Sequence, residues 1–404
     1  MKILHTSDWH LGQEFYTYNR IEEHLAFFHQ LTEIVAKEQP DVMVVSGDIY
    51  HNATPSNTVM RLFTDRLDAV RSACPSMEIV LTAGNHDSSA RLEVNRSIWQ
   101  HLGVSIVGRI EKREGVVDLD RHIIGVHSKV GALCGYVVAL PHVFPNAFPL
   151  MSEDTPREVR QTAFFTALDE RLREVNTQQL PVVMMAHMAL TGSDITGHDE
   201  TRGGMDYTDV SDLKVDYDYL ALGHIHCPQF IGDEHARYCG SPIPVSFDEQ
   251  YGHSVTVVEL VKHGDEPQVR WIPIENPWPL LTLPKESLPF EEAIQTLKDF
   301  PSDRRAYLRL RVKLADVPPA NALEHAFQAV SDKEARFCCF LWERNQVTEK
   351  VSRTFDDLDE IKAQSPLDIA KLYYQNQYGQ PMDENLQKML QEVITETDKS
   401  EEES

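Results

Sequence analysis

The feature that most constrains this chain is a series of short, nearly all-apolar runs, each stopped by an aspartate, asparagine or histidine. "KILHTSD", "DVMVVSGD", "EIVLTAGNHD", "PVVMMAHM" and "YLALGHIH" share this plan. An apolar run of about four to eight residues, rich in Val, Ile and Leu, reads as a strand buried on both faces. "VSIVGRI", "GYVVALP", "ARYCGSP", "SVTVVELV" and "QVRWIPI" extend the series to about residue 275. Helical patterns lie between the early strands. "RIEEHLAFFHQLTEIVAKEQ" puts Ile21, Leu25, Phe28, Leu31 and Val35 on one apolar face, and residues 56–73 and 88–102 also read as helices. The alternation predicts an α/β fold.

With 404 residues the chain is long enough for two or three domains. Composition shifts near residue 275, where "ENPWPLLTLP" reads as a proline-punctuated linker. A strand, helix, strand, helix, strand pattern follows, a small α+β module. Its "LRLRV" strand puts Arg309 and Arg311 on one face, either solvated or turned towards phosphate. The last segment changes character again. Leu386, Met389, Leu390, Val393 and Ile394 follow helical spacing, and Leu367, Ala370, Tyr373 and Tyr374 form an earlier apolar set. Such helices pack back on their own chain or dock on a partner. "SEEES" reads as solvated and disordered. The expected division is 1–275, 276–350 and 351–404.

No apolar run reaches the length of a membrane span, and the N-terminus lacks the long apolar region of a signal peptide. Six scattered cysteines without a C-x-x-C suit a reduced protein, so a cytoplasmic location is expected. The formal net charge of −25 argues against a chain coated in positive potential. It leaves room for nucleic acid held through bound cations or a partner.

Chemistry gathers just past the strand ends. Asp8 and His10 follow the first run; Asp48 and His51 follow the second; Asn85, His86 and Asp87 follow the third. His187 closes "PVVMMAH", and His224 and His226 close "YLALGHIH". Ligands of open α/β sheets bind outside the carboxyl ends of the strands, so these groups should converge. Any one of them is a common satisfied polar residue; five motifs in order are not a chance event. Carboxylate, amide and imidazole suit manganese, iron or zinc rather than a thiolate-rich structural zinc site. Asp8, His10, Asp48, Asn85, His187, His224 and His226 are too many donors for one tetrahedral ion and suit two ions sharing a bridging carboxylate. His224 and His226, two apart in an extended segment, point to one side; Ile225 and Cys227 point away, which leaves a zinc-finger reading little support.

"SDWHLG", "SGDIYH", "AGNHDS", the strand-end His187 and "LGHIH" resemble the ordered motifs of the calcineurin-like metallophosphoesterase superfamily. "GDIYH" and "GNHDS", with "YLALGHIHCPQ" and "RYCGSPIPVSFDE", resemble its DNA-nuclease branch rather than its protein phosphatases, which carry an Asp-Arg pair and "G-N-H-E". The resemblance implies a β-sandwich core flanked by helices, a DNA-capping domain over the active site and C-terminal partner-docking helices. It implies Asp8, His10, Asp48 and His226 around one ion, and bridging Asp48, Asn85, His187 and His224 around the other. Manganese is the preferred metal, with iron, zinc or magnesium as alternatives. His86 would stabilise the transition state or protonate the leaving oxygen, Asp87 would orient it, and His51 would lie near the scissile phosphate. The chain has no "GK" dipeptide and hence no Walker A loop. The resemblance supplies a coiled-coil ATPase as partner, in a two-plus-two heterotetramer. It also implies a homodimer through helices near the nuclease core, DNA as substrate and a bacterial, nucleoid-associated setting. The expected function is a double-strand exonuclease and single-strand or hairpin endonuclease of DNA repair. A phosphodiesterase or phosphatase for a small or protein substrate would use the same ligands, and a scaffold with a decayed site would not keep them all.

Overall fold

The computed structural model describes residues 1–152, 156, 159–197, 207–314 and 318–344, and beyond them residues 367, 371, 374, 382, 383, 386–388, 390 and 391. Twelve strands build the principal body: β1 (Lys2–Thr6), β2 (Val42–Ser46), β3 (Glu78–Thr82), β4 (Val104–Val107), β5 (Ile123–His127), β6 (Leu133–Ala139), β7 (Val182–His187), β8 (Tyr219–Gly223), β9 (Gln229–Ile231), β10 (Asp233–Tyr238), β11 (Ser254–Glu259) and β12 (Gln268–Pro273). They form two six-stranded sheets, in the orders β12-β11-β1-β2-β3-β4 and β9-β10-β8-β7-β6-β5. The central pairs β1–β2, β2–β3, β6–β7 and β7–β8 are parallel.

Side-chain alternation explains why the strands are apolar throughout. Val42 and Val44 of β2 meet Val137, Val183 and Ala221 of the other sheet in the sandwich interior. Met43 and Val45 turn outward, onto Phe27, Phe28 and Phe63 of the helices α1 (Ile21–Glu38) and α2 (Asn57–Ala73). The second sheet repeats the plan: Val138, Met184 and Leu220 face Phe164, Phe165 and Leu168 of α3 (Arg160–Val175). Helix, sheet, sheet and helix stack in four layers, and both faces of each sheet are covered.

Two helical expectations change. In α1 the buried face holds His24, Phe27, Phe28, Leu31, Ile34 and Val35, while Leu25 is largely exposed. The buried arc is as wide as the expected one but turned about the helix axis, away from Ile21 and Leu25 and towards the row through Phe27 and Ile34, which reaches the sheet. Residues 88–102 form two short helices, Ser89–Leu92 and Arg96–His101, rather than one. Between them Glu93 turns its carboxylate to the Gly108 N–H and to Arg121.

The α+β module comprises β13 (Leu280–Leu288), α4 (Phe290–Lys298), β14 (Tyr307–Leu314), α5 (Ala322–Ala329) and β15 (Arg336–Arg344), with sheet order β13-β14-β15. It has its own core, including Ile294, Leu297, Leu308, Leu310 and Phe337. A separate aromatic cluster of Phe15, Phe247, Trp278 and Tyr307 joins it to the sandwich, and the Arg336 guanidinium lies 3.7 Å from the centre of the Trp278 ring. The chain divides into compact units Met1–Glu343 and Arg344–Ser404, so this module belongs to the first. In the second, Leu386 and Leu390 are helical, and the Asp383 carboxylate accepts from the Leu386 N–H at 3.3 Å. Of the expected apolar sets, Ala370, Tyr373, Met389, Val393 and Ile394 lie outside the described residues.

Candidate metal centre

The parallel strands deliver their carboxyl ends to one edge of the sandwich, and the expected residues meet there. Asp8 and His10 leave β1, Asp48 and His51 leave β2, and Asn85, His86 and Asp87 leave β3 on the first sheet. His187 ends β7, and His224 and His226 leave β8 on the second. The chain turns abruptly to achieve this. Asp8, His10, Asp48 and His224 have φ of 53°, 45°, 51° and 96°, a left-handed backbone that non-glycine residues seldom adopt and that concentrates at functional sites. Gly47 (φ 84°) precedes Asp48, and a Cβ there would collide with the His187 ring; one at Gly84 would collide with Asp48 itself. Glycine is required where backbone and ligand shell approach this closely.

The donor atoms point at one another. His10 Nε2 and His226 Nε2 lie 3.1 Å apart. His187 Nε2 and His224 Nδ1 both reach Asn85 Oδ1, at 2.9 and 3.1 Å. Asp48 Oδ2 sits 3.5 Å from His187 Nε2, 3.8 Å from His10 Nε2 and 4.0 Å from His86 Nε2, central to both groups. Three overlapping sets, Asp8/His10/His226, Asp8/Asp48/His187 and His10/His51/His86, each bring three donor atoms together.

The imidazoles are aimed from behind. His187 Nδ1 lies 2.8 Å from the Ser46 carbonyl and His86 Nδ1 2.8 Å from the His51 carbonyl, which assigns the proton to Nδ1 and leaves Nε2 facing the site. Asp87 does something other than orient His86: its carboxylate accepts from the N–H groups of Ile49, Tyr50 and Gly84, at 3.1, 2.9 and 2.9 Å. It therefore staples the Asp48 loop to the Asn85 loop. Two residues outside the expected set take part. Glu249, buried, places Oε1 3.1 Å from His226 Nδ1 and fixes that ring. His142 stands 5.9 Å from the His187 ring centre, its Nδ1 3.1 Å from the His187 carbonyl. It follows β6 by the rule that marks the others, in "ALPHVF". Glu249, in "VSFDEQ", follows no strand and carries no such signal.

Electrostatics match this picture. Burial would raise Asp48, but His187, His10 and His86 hold its carboxyl well below the usual range. Burial would lower His187, yet Asp48 brings it up to about 9. Burial, helped by the neighbouring His226, His86 and His51, drives His10 well down against the pull of Asp48. Burial and the neighbouring Asp48 push Asp87 up to about 7. Nε2 of His10 and Nε2 of His226, 3.1 Å apart, must share either a proton or a cation. The donor set therefore fits divalent ions, which imidazole, carboxylate and amide oxygen bind in place of protons.

The site opens into a cleft of about 310 Å³ whose wall continues from His10, His51 and His86 to Tyr16, Phe247 and Arg309. Fold and site together define a metal-dependent phosphodiester hydrolase. Residues 1–228 match the family model for calcineurin-like phosphoesterases. Over 348 residues, 82% of this chain and 85% of that protein, the sequence is 34% identical to the SbcD component of the nuclease SbcCD of Rhodobacter capsulatus. It is 25% identical to the same-named protein of Escherichia coli K12 over 413 residues, and 28% identical to that of Bacillus subtilis over 404, each covering 98% of both chains. The chain belongs to the calcineurin-like phosphoesterases and, within them, to the SbcD nucleases.

Proposed function

We propose that this chain is the catalytic subunit of an ATP-driven machine that processes DNA double-strand breaks and hairpins, cutting double strands from their ends and single strands or hairpins internally. The observation that carries the reading is the convergence of Asp8, His10, Asp48, Asn85, His187, His224 and His226 from both sheets onto one buried edge. Asp8, His10, Asp48 and His226 would hold one ion; Asp48, Asn85, His187 and His224 would hold the other, with manganese the preferred metal. Such a pair of ions supplies a nucleophile at neutral pH and offsets charge developing at phosphorus. The chain's own groups do the rest. His86, with Nδ1 tied to the His51 carbonyl, presents Nε2 to the cleft; with both ring nitrogens protonated it would stabilise the transition state or pass the Nε2 proton to the leaving oxygen. His51, its ring stacked 5.6 Å from that of His86, lines the phosphate path. Glu249 and Asp87 position the ligand loops without touching substrate.

The relatives carry the name of the SbcCD nuclease, which supports an SbcC-type partner. That partner being a coiled-coil ATPase, two copies of each chain and a cytoplasmic setting belong to the same proposal. Among the described residues no helix is long and apolar enough to cross a membrane. The chain lacks a Walker A loop, so ATP would act through that partner. The segment after 351 is the docking candidate, by helix-in-groove binding. Homodimerisation is supported by the exposed apolar side chains of Val94, Ile98 and Leu102, on and beside the short helix Arg96–His101. The deciding experiment gives the chain, with manganese and its ATPase partner, free-ended double-stranded DNA or a chromogenic phosphodiester. Cleavage of DNA is expected, and hydrolysis of the small ester alone overturns the reading. Deletion from Ser365 onward should abolish co-purification with the ATPase while sparing the fold; retained binding refutes the docking role.

A further inference from the structure

The cleft wall opposite the metal-binding edge is built from parts the reaction does not use. The hairpin Glu14–Asn19 pairs Glu14 with Asn19 and Phe15 with Tyr18, leaving Tyr16 and Thr17 as a two-residue turn. Both have positive φ, 57° and 124°. Turns of this type favour Asn-Gly or Gly-Gly, because those residues accept positive φ. A tyrosine followed by a β-branched threonine is a costly choice, and unrelieved strain of this kind marks functional segments. The tyrosine so placed is half exposed, lines the metal-site cleft, and continues an aromatic surface to Phe247, 5.8 Å between ring centres.

Arg309 completes that surface from the α+β module. Its guanidinium lies 5.0 Å from the centre of the Phe247 ring. Nε donates to Thr282 Oγ1 at 3.0 Å and Nη1 to Asp248 Oδ1 at 2.8 Å. A guanidinium carries five N–H donors, so these two bonds fix its plane and leave others for a ligand. An aromatic face beside a fixed guanidinium, next to a phosphodiester-cleaving edge, has the chemistry of a nucleotide: a ring to stack and a phosphate to pair.

We propose that Tyr16 and Arg309 form a subsite for the nucleotide adjoining the scissile phosphate, the tyrosine stacking on its base and the arginine pairing with its outer phosphate. The inference rests on the nuclease reading and adds how that site selects a polynucleotide strand over a small ester. A base must leave its duplex stack to reach Tyr16, so the subsite favours frayed ends and single strands.

The test compares the full-length chain and its variants with manganese, alone or with the ATPase partner, on a single-stranded oligonucleotide and on bis(p-nitrophenyl) phosphate. The readout is the ratio of kcat/KM on DNA to kcat/KM on the ester. Tyr16→Leu and Arg309→Gln should each lower this ratio roughly tenfold, the scale of one stacked base. Tyr16→Phe and Tyr16→Trp should hold it, since the ring is kept. Arg309→Gln should also flatten the salt dependence of KM on DNA, by about 0.7 in the log–log slope for one phosphate contact to a single strand. A ratio unmoved by Tyr16→Leu or Arg309→Gln overturns the subsite. A ratio that falls equally in Tyr16→Phe overturns stacking, because only the hydroxyl, which lies against the Cys339 thiol, has gone. A wild-type chain that hydrolyses the ester but never DNA overturns the nuclease reading beneath, and is thereby distinct from failure of the subsite alone.

Discussion

The two walls of the cleft are built on opposite plans. On the metal-binding edge, Asp8, Asp48, His187 and His226 are no more than 7% exposed, and nearly every polar atom has a defined partner. On the facing rim, Tyr16 is 47% exposed, and its neighbours come from a hairpin, a loop and a separate module. A buried edge leaves each side chain one position, as catalysis by positioned charge requires. An exposed side chain such as Tyr16, resting on the buried Phe247, tolerates exchange at little cost to the fold, as substrate selection requires. Chemistry and choice of substrate are thereby separated in space.

That contrast can be broken by substitution. Asp48→Asn, at the centre of the edge, should bring hydrolysis of DNA and of a small phosphodiester alike to background in a protein that melts as a folded chain; DNA cleavage surviving there would sink the bridging assignment. His86→Ala should lower kcat by about 10²–10⁴-fold on both substrates. Metal content by plasma mass spectrometry should stay at the wild-type level, and loss of metal would reassign His86 as a ligand. Glu249→Gln removes the carboxylate behind His226 and should weaken metal affinity by roughly 10–100-fold, recovered by raising the metal concentration. A defect that no metal concentration restores would place Glu249 elsewhere in the reaction. The smallest effect belongs to the rim. Thr17→Gly relieves a strained φ on an exposed residue and should stabilise the protein by about 1 kcal/mol in chemical denaturation. A neutral or destabilising outcome would mean the turn holds no strain.

The same division governs what could be read from sequence. The edge was legible because local rules produce it. An apolar run sets the strand, a glycine or polar residue ends it, and parallel order sends successive ends to one place, so Asp8, Asp48, Asn85, His187 and His224 could be named together. His142 obeys the same rule in "ALPHVF". Glu249 does not: it lies in a loop and reaches His226 only through the packing of residues 241–253. Asp87 sits one residue from His86 in sequence, which suggested a partner for that ring, yet three backbone N–H groups claim its carboxylate. The rim was least legible, since Tyr16, Phe247 and Arg309 meet only after two layers and a further module have assembled. In α1 the apolar spacing identified the helix but not its face, because the sheet chose Phe27 and Ile34 over Leu25.

The metal-binding edge also straddles the sandwich. Asp8, His10, Asp48 and Asn85 belong to the first sheet, whereas His187, His224 and His226 belong to the second. Each proposed ion would therefore be gripped from both halves of the sandwich and act as a rivet between them. A chelator should lower the melting temperature as well as the rate, because whatever binds the folded state alone stabilises it by mass action. In a cell short of metal, unriveted copies would open more often and meet proteases sooner. The supply of ions would then set how many copies persist, as well as how fast each one works.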